Sequence, residues 1–320
     1  MKNKKTIYFS LACDVDPDID SIDASKEYWW GIANGIPLLR KALRIPMTWL
    51  LRADRMITEV YSDPAYCFKR FQKLWEEETK TFKSEIGWHP HLFRFDGTNS
   101  KWLPYLGKGD DLGTLSASLD ALRQHADVVS VRTGWEYQSN SLMKLFDQKG
   151  ILVEASATPG SLQAGAWSHD WRGTPRMPYH PSRNDYRRPA ASREDALKLV
   201  EIPMLARRLS PLLRTARFAI RAKRRIFDWP SSAWQGAIIT KDPRCFDQAV
   251  EQTIREGSRV IAAYCHCSEF LEPENLKNIM VNMESLFSFA DHLGYSVTTT
   301  TLAGLGSLLR SSDTELIKCA

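Results

Sequence analysis

Four places in the chain set acids, imidazoles or a guanidinium where a buried run stops. Ile7 to Cys13 is a near-continuous apolar stretch that empties into Asp14, Val15, Asp16, Pro17 and Asp18. Asp14 and Asp16 are two residues apart, so on an extended chain both project to one side, where they repel unless a cation or a proton separates them. Glu85-Ile86-Gly87 leads into Trp88-His89-Pro90-His91, and the same spacing puts both imidazoles on one face. Val128 to Val131 delivers Arg132, and Arg259 to Tyr264 delivers His266. A histidine at one strand end is more often structural than catalytic. Several acids and imidazoles converging on one mouth instead describe a metal site, in which two imidazoles and a carboxylate leave positions open for water, the mark of catalysis rather than structure. For Asp14 and Asp16 alone, an acidic turn that ends a strand and caps a helix is the plain alternative.

These residues need strands to carry them. The run before Asp14, rich in β-branched and aromatic residues and cut off by acids and a proline, predicts a buried parallel strand. Pro46 to Asp54, Glu85 to Gly87, Val128 to Val131, Ile151 to Ser156, Leu199 to Met204, Arg259 to Tyr264 and Tyr295 to Thr301 predict further strands. Between them lie helical spacings: Trp29, Ile32, Ile36, Leu39 and Leu43, with Pro37 as a kink or loop; Phe68, Phe71, Leu74 and Trp75; Leu112 to His125; Leu142 to Lys149; and Glu274 to Leu293. Such alternation predicts a parallel sheet or barrel with its chemistry at the carboxyl ends of the strands. Residues 1–303 read as one barrel, with a loop insertion at about 160–195 and a basic helix at 205–228, and 304–320 as a C-terminal helix and tail. Trp167 to Pro189 breaks the rhythm; its prolines, its aromatics, His169 and His180 predict a functional loop and not a disordered one. His125 and His292 read as surface or capping residues.

At 320 residues and 43% hydrophobic, the chain can bury a substantial core. Its net charge of +5 is local, because 206–225 holds eight cations and no acid, and without these eight the balance is −3. On a helix Arg214, Arg217, Arg221 and Arg224 form one stripe beside Leu213, Ala216, Ile220 and Phe227, a pattern suited to an anionic membrane face or an anionic substrate, with a solvated helix covering the barrel as the plain alternative. Nucleic acid is not expected, since the rest of the chain is slightly acidic and no binding motif accompanies the charge. The six cysteines have neither disulfide-framework nor zinc-knuckle spacing, which predicts reduced thiols in a cytoplasmic protein. The basic start and short apolar stretch to Cys13 are too short for a secretion signal, and no apolar run reaches the roughly 20 residues of a membrane span. Cys265 and Cys267 flank His266, but neighbours on a strand point to opposite sides, so thiol catalysis is not expected.

Asp14 with Asp16, Glu85 to His91, Val131-Arg132-Thr133-Gly134-Trp135 and Tyr264-Cys265-His266 together resemble the motifs of the NodB-homology polysaccharide deacetylases, most closely their WbmS-like branch. The resemblance runs over most of the chain. It implies an α/β fold, a distorted (β/α) barrel of single-domain type, and a zinc-like divalent ion. In its terms Asp14 is the catalytic base, Asp16 a metal ligand with His89 and His91, Arg132 the holder of the base, and His266 the general acid. The commoner form spaces its two histidines four apart, which here is Phe93, so His91 takes over as ligand. Trp135, Trp171, Tyr179 and His180 are the candidate substrate contacts. The implied reaction removes an N-acyl group, acetyl or formyl, from a nucleotide-linked or lipid-linked amino sugar in surface-polysaccharide biosynthesis. A catalytically silent carbohydrate-binding protein on the same fold is the alternative. A metal phosphoesterase would need phosphate-cradling loops that are not present.

Overall fold

The computed structural model describes residues 5–17, 29–99, 101–104, 111–163, 168–212, 215 and 234–311. Its strands, in chain order, are β1 (Lys5–Val15), β2 (Thr48–Leu51), β3 (Glu85–Trp88), β4 (Phe93–Asp96), β5 (Lys101–Pro104), β6 (Ser130–Val131) and β7 (Val153–Glu154). There follow β8 (Leu162–Gln163), β9 (His169–Asp170), β10 (Val200–Glu201), β11 (Ala206–Arg208), β12 (Trp234–Gly236), β13 (Val260–His266) and β14 (Tyr295–Thr300).

The main sheet runs β10-β7-β6-β3-β2-β1-β13 with every neighbour parallel, and β14 lies along the first half of β1. Just past β10 the chain meets β13 again: Met204 bridges Ala262 in parallel, and the Leu205 N–H donates to the Ala262 carbonyl at 2.7 Å. The sheet therefore closes on itself as a distorted (β/α) barrel. Its inward positions include Tyr8, Ala12, Leu50, Val153, Ala155, Val200, Ile202, Ala262 and Tyr264, which pack into an inner core. The alternate positions, among them Phe9, Leu11, Cys13, Trp49, Leu51, Ile86 and Trp88, pack outward under the helices. Because the side-chain period of a strand is two, the inward register continues into Asp14, Arg52, His89, Arg132 and His266 at the carboxyl ends.

Two expectations change, and one element gains a role: the expected C-terminal helix, Leu302–Ser311, is the floor of the barrel, with Leu302, Leu305 and Leu309 in the inner core. Its first amides donate to Thr48 Oγ1 at 2.9 Å and to Glu85 Oε2 at 2.8 Å, so the barrel's polar lower layer serves as the helix cap. Pro37 makes no kink, because it falls in the first turn of the helix Ile36–Ala42, where its missing N–H costs nothing. The chain before it is a π-helical turn, Gly31–Gly35, whose glycines press on the backbone of Cys267 and Ser268 immediately after His266. Finally, the basic stretch opens as strand and not helix: Ala206–Arg208 pairs antiparallel with β12, and Arg207 spends its guanidinium on Gln235 at 2.8 Å and Gln248 at 2.7 Å. Arg214, Arg217, Arg221, Lys223, Arg224 and Arg225, and with them the proposed amphipathic stripe, lie outside the described residues. Among the described residues, no helix is long and apolar enough to cross a membrane.

Glu154 and Glu201 are register partners on β7 and β10, both fully buried. Ser156 N–H donates to Glu154 and Ala157 N–H to Glu201 Oε1 at 3.1 Å, while Glu201 Oε2 has no hydrogen-bond partner. Burial first, and then the Glu154 charge, push the Glu201 carboxyl well above the usual carboxylate range. For a raised carboxyl the sign is that stability is fully present below the unfolded value and declines as pH rises towards the folded one. Glu201→Gln keeps the acceptor for Ala157 and adds a donor facing Glu154. Urea titrations from pH 5 to 9 are expected to show that the variant has lost this decline and is at least as stable as the parent above neutrality; an unchanged slope would assign the decline to other groups.

Candidate active site

The site is assembled at the mouth where five neighbouring strands, β13, β1, β2, β3 and β6, end. His89 N–H donates to the Leu51 carbonyl at 2.8 Å and Arg132 N–H to the Trp88 carbonyl at 3.0 Å, while Asp14 stands opposite His266 in the β1–β13 register. Asp14, His89 and Arg132 are almost completely buried. One carboxylate oxygen of Asp14, Oδ2, pairs with the Arg132 guanidinium, and His266 Nε2 lies 3.7 Å from the same oxygen. The other, Oδ1, is buried and accepts from no protein group, with His89 Nδ1 3.8 Å away.

Asp16, His89 and His91 face each other across a small triangle. His89 Nε2 and His91 Nε2 are 3.0 Å apart, and the Asp16 oxygens lie 3.5 Å and 3.4 Å from them. Ligand bonds of 2.0–2.2 Å in a tetrahedral zinc site imply donor separations of about 3.3 Å, so the three groups fit such an ion. The tautomer fits as well. His89 Nδ1 is 2.6 Å from the Arg132 carbonyl, which can only accept, so this nitrogen carries the proton and Nε2 turns its lone pair to the triangle. Burial, assisted by the nearby Arg52 charge, lowers His91 to about 4, which keeps its ring neutral and able to ligate. Burial opposes ionisation of Asp16, but the two imidazoles outweigh it and hold its carboxyl well below the usual range. Among the described residues this is the one group of three or more such side chains close enough to share an ion.

Phe93, which stands where the commoner motif has its second histidine, lies parallel to the His91 ring at 5.6 Å, and Arg52 lies 5.3 Å from the Phe93 ring centroid. The position has become a wall behind the ligand. Gly134 is required here, since a Cβ would overlap the His91 ring. Trp135 meets His91 edge-on at 4.3 Å and Phe93 at 4.8 Å, so this expected substrate contact does border the site. Trp135 and Glu136 both hold left-handed backbone, φ 54° and 59°, which neither residue favours and which costs on the order of 1–3 kcal/mol each.

Trp171 and Tyr179, the other aromatics expected to meet a sugar, are fully buried and offer no face. Trp171 donates to the Glu136 carbonyl at 2.8 Å and Tyr179 to the Tyr186 carbonyl at 2.9 Å, so both hold the insertion together. His180 Nδ1 is spent on the carbonyls of Leu197 and Leu199 at 3.1 and 3.0 Å. The reason is general: an aromatic in a proline-rich loop supplies the core that a segment without regular structure otherwise lacks.

Four residues not singled out from sequence complete the mouth. Arg52 pairs with Asp16 at 3.0 Å and with Asp54. Asp54 accepts from the His91 N–H at 3.1 Å and caps the helix Arg55–Tyr61 through the Ile57 N–H, so it seats the second histidine. Glu269 lies 3.7 Å from His266 Nδ1 and is itself held by Lys241 at 2.8 Å and Thr240 at 2.6 Å. Tyr264 lays its ring 4.2 Å from the Arg132 guanidinium carbon. Arg52 and Asp54 were legible in principle, since β2 ends in charge as β1 and β3 do. Glu269 follows His266 by three residues on a turn that nothing in the local sequence announces.

No protein-family profile and no curated protein sequence matches the chain. Its fold does match solved structures. A polysaccharide deacetylase candidate from Mycobacterium smegmatis superposes with a TM-score of 0.57 at 13% identity, over 97% of this chain and 92% of the other. A glycoside hydrolase/deacetylase candidate from Parabacteroides distasonis gives 0.53 at 13% identity, over 96% and 71%. The fold is thus that of the NodB-type polysaccharide deacetylases. A polysaccharide deacetylase candidate of O-antigen biosynthesis from Bordetella bronchiseptica aligns over 88% of this chain and 90% of its own, but with a TM-score of 0.37, too loose to bear on function.

Arg52 is 3% exposed between two carboxylates. Removing one partner of a buried pair leaves uncompensated charge, so Arg52→Met is expected to cost about 3–5 kcal/mol in urea unfolding. Loss below about 1 kcal/mol would mean that the pair is effectively solvated, as exposed ion pairs are.

Proposed function

We propose that this protein is a metal-dependent hydrolase that removes an N-acyl group, acetyl or formyl, from an amino sugar used in surface-polysaccharide assembly, acting in the cytoplasm. The observation that carries the reading is Asp14. One of its oxygens is held by Arg132 beside His266, and the other is buried and unpartnered, bordering the triangle of Asp16, His89 and His91. The deacetylase fold supports the reaction class. A zinc-like divalent ion in that triangle would supply Lewis acidity, polarising the acyl carbonyl and lowering the pKa of water towards about 7.

The chain's own residues do the rest. Asp14 accepts the proton of the attacking water at Oδ1, while the fixed charge of Arg132 on Oδ2 orients the carboxylate. His266 protonates the departing nitrogen, without which an amine is a very poor leaving group. Burial disfavours the His266 cation, but Glu269 and then Asp14 outweigh it and lift the imidazole above its ordinary value, which favours the acid form. Trp135 borders the ligands and offers the substrate an aromatic edge. His91 in the place of the more distant histidine supports catalysis over a silent binding role, because the donor triangle is complete without it. The leaving amino sugar is proposed to be nucleotide-linked or lipid-linked, with the basic segment 206–225 meeting its diphosphate or an anionic membrane face.

Purified protein loaded with zinc is expected to bind about one ion per chain and to release amine from an N-acylated member of a nucleotide- and lipid-linked sugar panel. Asp14→Asn should keep the metal and lose most turnover, whereas Asp16→Asn loses both; equal metal loss in the two would merge the roles divided here. His266→Ala is expected to slow amide cleavage by about 10²- to 10⁴-fold. An ester of similar shape should suffer less, because its alkoxide leaves more readily.

The pH profile follows from the same shift. Activity falls as pH rises through the elevated His266 value, and Glu269→Gln removes the anion that elevates it. The alkaline limb of kcat/KM is therefore expected to move to lower pH in Glu269→Gln. A limb that stays in place would assign it to another group.

A further inference from the structure

We propose that His169, carried by the insertion, is a positioning residue that holds the turn Gly134–Glu136 in the conformation the site requires; its effect on turnover rests on the hydrolase reading above. The turn touches the site at three points. Gly134 lies against the His91 ring, Trp135 meets the same ring edge-on at 4.3 Å, and a Glu136 carboxylate oxygen is 3.6 Å from the Arg132 guanidinium that holds Asp14. The turn's own sequence argues against its shape, since Trp135 and Glu136 occupy left-handed backbone in succession. Its internal amide bonds, Glu136 to Thr133 and Tyr137 to Gly134, are long at 3.2 Å.

What opposes relaxation comes from the other side of the insertion. The left-handed conformation presents the carbonyls of Trp135 and Glu136 outward, and each meets a donor from β9 or the residue after it. His169 Nδ1 is 2.9 Å from the Trp135 carbonyl, and Trp171 Nε1 donates to the Glu136 carbonyl at 2.8 Å. Since a carbonyl can only accept, His169 Nδ1 carries a proton. His169 Nε2 lies 3.5 Å from Glu136 Oε2, the oxygen not turned to Arg132. A chain of alternating partners thus runs from Asp14 through Arg132 and Glu136 to His169, with the His169 side chain 8% exposed. Trp171 is fully buried and its loss would unpack the insertion. His169 is the member that can be changed with the least damage to the core.

The test uses the full zinc-loaded chain in three forms: parent, His169→Leu and His169→Asn. The asparagine amide nitrogen can take the place of Nδ1 and keep the bond to the Trp135 carbonyl; leucine fills the volume and donates nothing. Two readouts are taken. The first is acrylamide quenching of the Trp135 emission, isolated as the difference between each form with and without Trp135→Phe. The second is kcat for amine release from UDP-N-acetylglucosamine or whichever panel sugar the parent turns over. In His169→Leu the Trp135 contribution is expected to become more accessible to acrylamide and kcat to fall about 10- to 100-fold, as for a modest misplacement of catalytic groups. In His169→Asn both are expected to return towards the parent. Parent-like quenching in His169→Leu, or equal perturbation of leucine and asparagine forms, would overturn the proposal. Should the leucine form not fold, His169→Gln replaces it, since its longer amide reaches the Nε2 position and not the carbonyl. A parent without amine release on any sugar would sink the hydrolase reading alone, because the quenching contrast still decides whether His169 holds the turn.

Discussion

The site depends on two arginines that are almost wholly buried among carboxylates. Arg132 holds Asp14, and Arg52 holds Asp16 and Asp54, in surroundings where each charge alone would be expelled or neutralised. A buried guanidinium is useful because it cannot give up its proton and its planar donors can serve several acceptors at once. The two arginines stand at the ends of β2 and β6, the strands that flank β3 and with it His89. Arg132 reaches further: its own carbonyl fixes the His89 proton on Nδ1, turning Nε2 towards Asp16 and His91. One residue therefore governs the orientation of Asp14 and the tautomer of His89.

Around this charged layer the barrel is apolar in the middle and polar again at the bottom. On β2 and β3, Leu50 and Gly87 separate Arg52 and His89 from Thr48 and Glu85, where the helix Leu302–Ser311 closes the barrel. The floor matters to the mouth because the short staves, two residues each in β6, β7 and β10, have few ladder bonds of their own. Packing of Leu302, Leu305 and Leu309 against Val153 and Val200 supplies what the ladder lacks.

The side of the mouth beyond β3 is built differently. There the chain relies on aromatic edges, a glycine without room for a Cβ, and a strained turn held by the insertion. Strain of this kind persists only where surrounding structure over-determines it. Phe93 packs parallel to the His91 ring and edge-on to Trp135, so the aromatic wall on this side backs His91.

Much of this was legible in the chain itself. The two-residue spacings of Asp14 with Asp16 and His89 with His91 point to which side chains share a face, because an extended chain projects every second side chain to one side. Apolar runs ending in charge located the strand ends, and the alternation with helices implied the parallel barrel. What the sequence alone left open was everything that depends on approach from elsewhere in space. Arg52 and Glu269 became site residues only because β2 lies beside β1 and a short turn follows β13. Trp171 and Tyr179 turned out to be buried because the insertion folds onto β10 and the Gly134–Glu136 turn, which aromatic composition cannot reveal. Trp135, by contrast, stayed at the site for a reason its own sequence opposes: its left-handed backbone is imposed by His169 and Trp171, more than thirty residues further along the chain. Local spacing determined the catalytic face; only the closed barrel decided which distant groups would complete it.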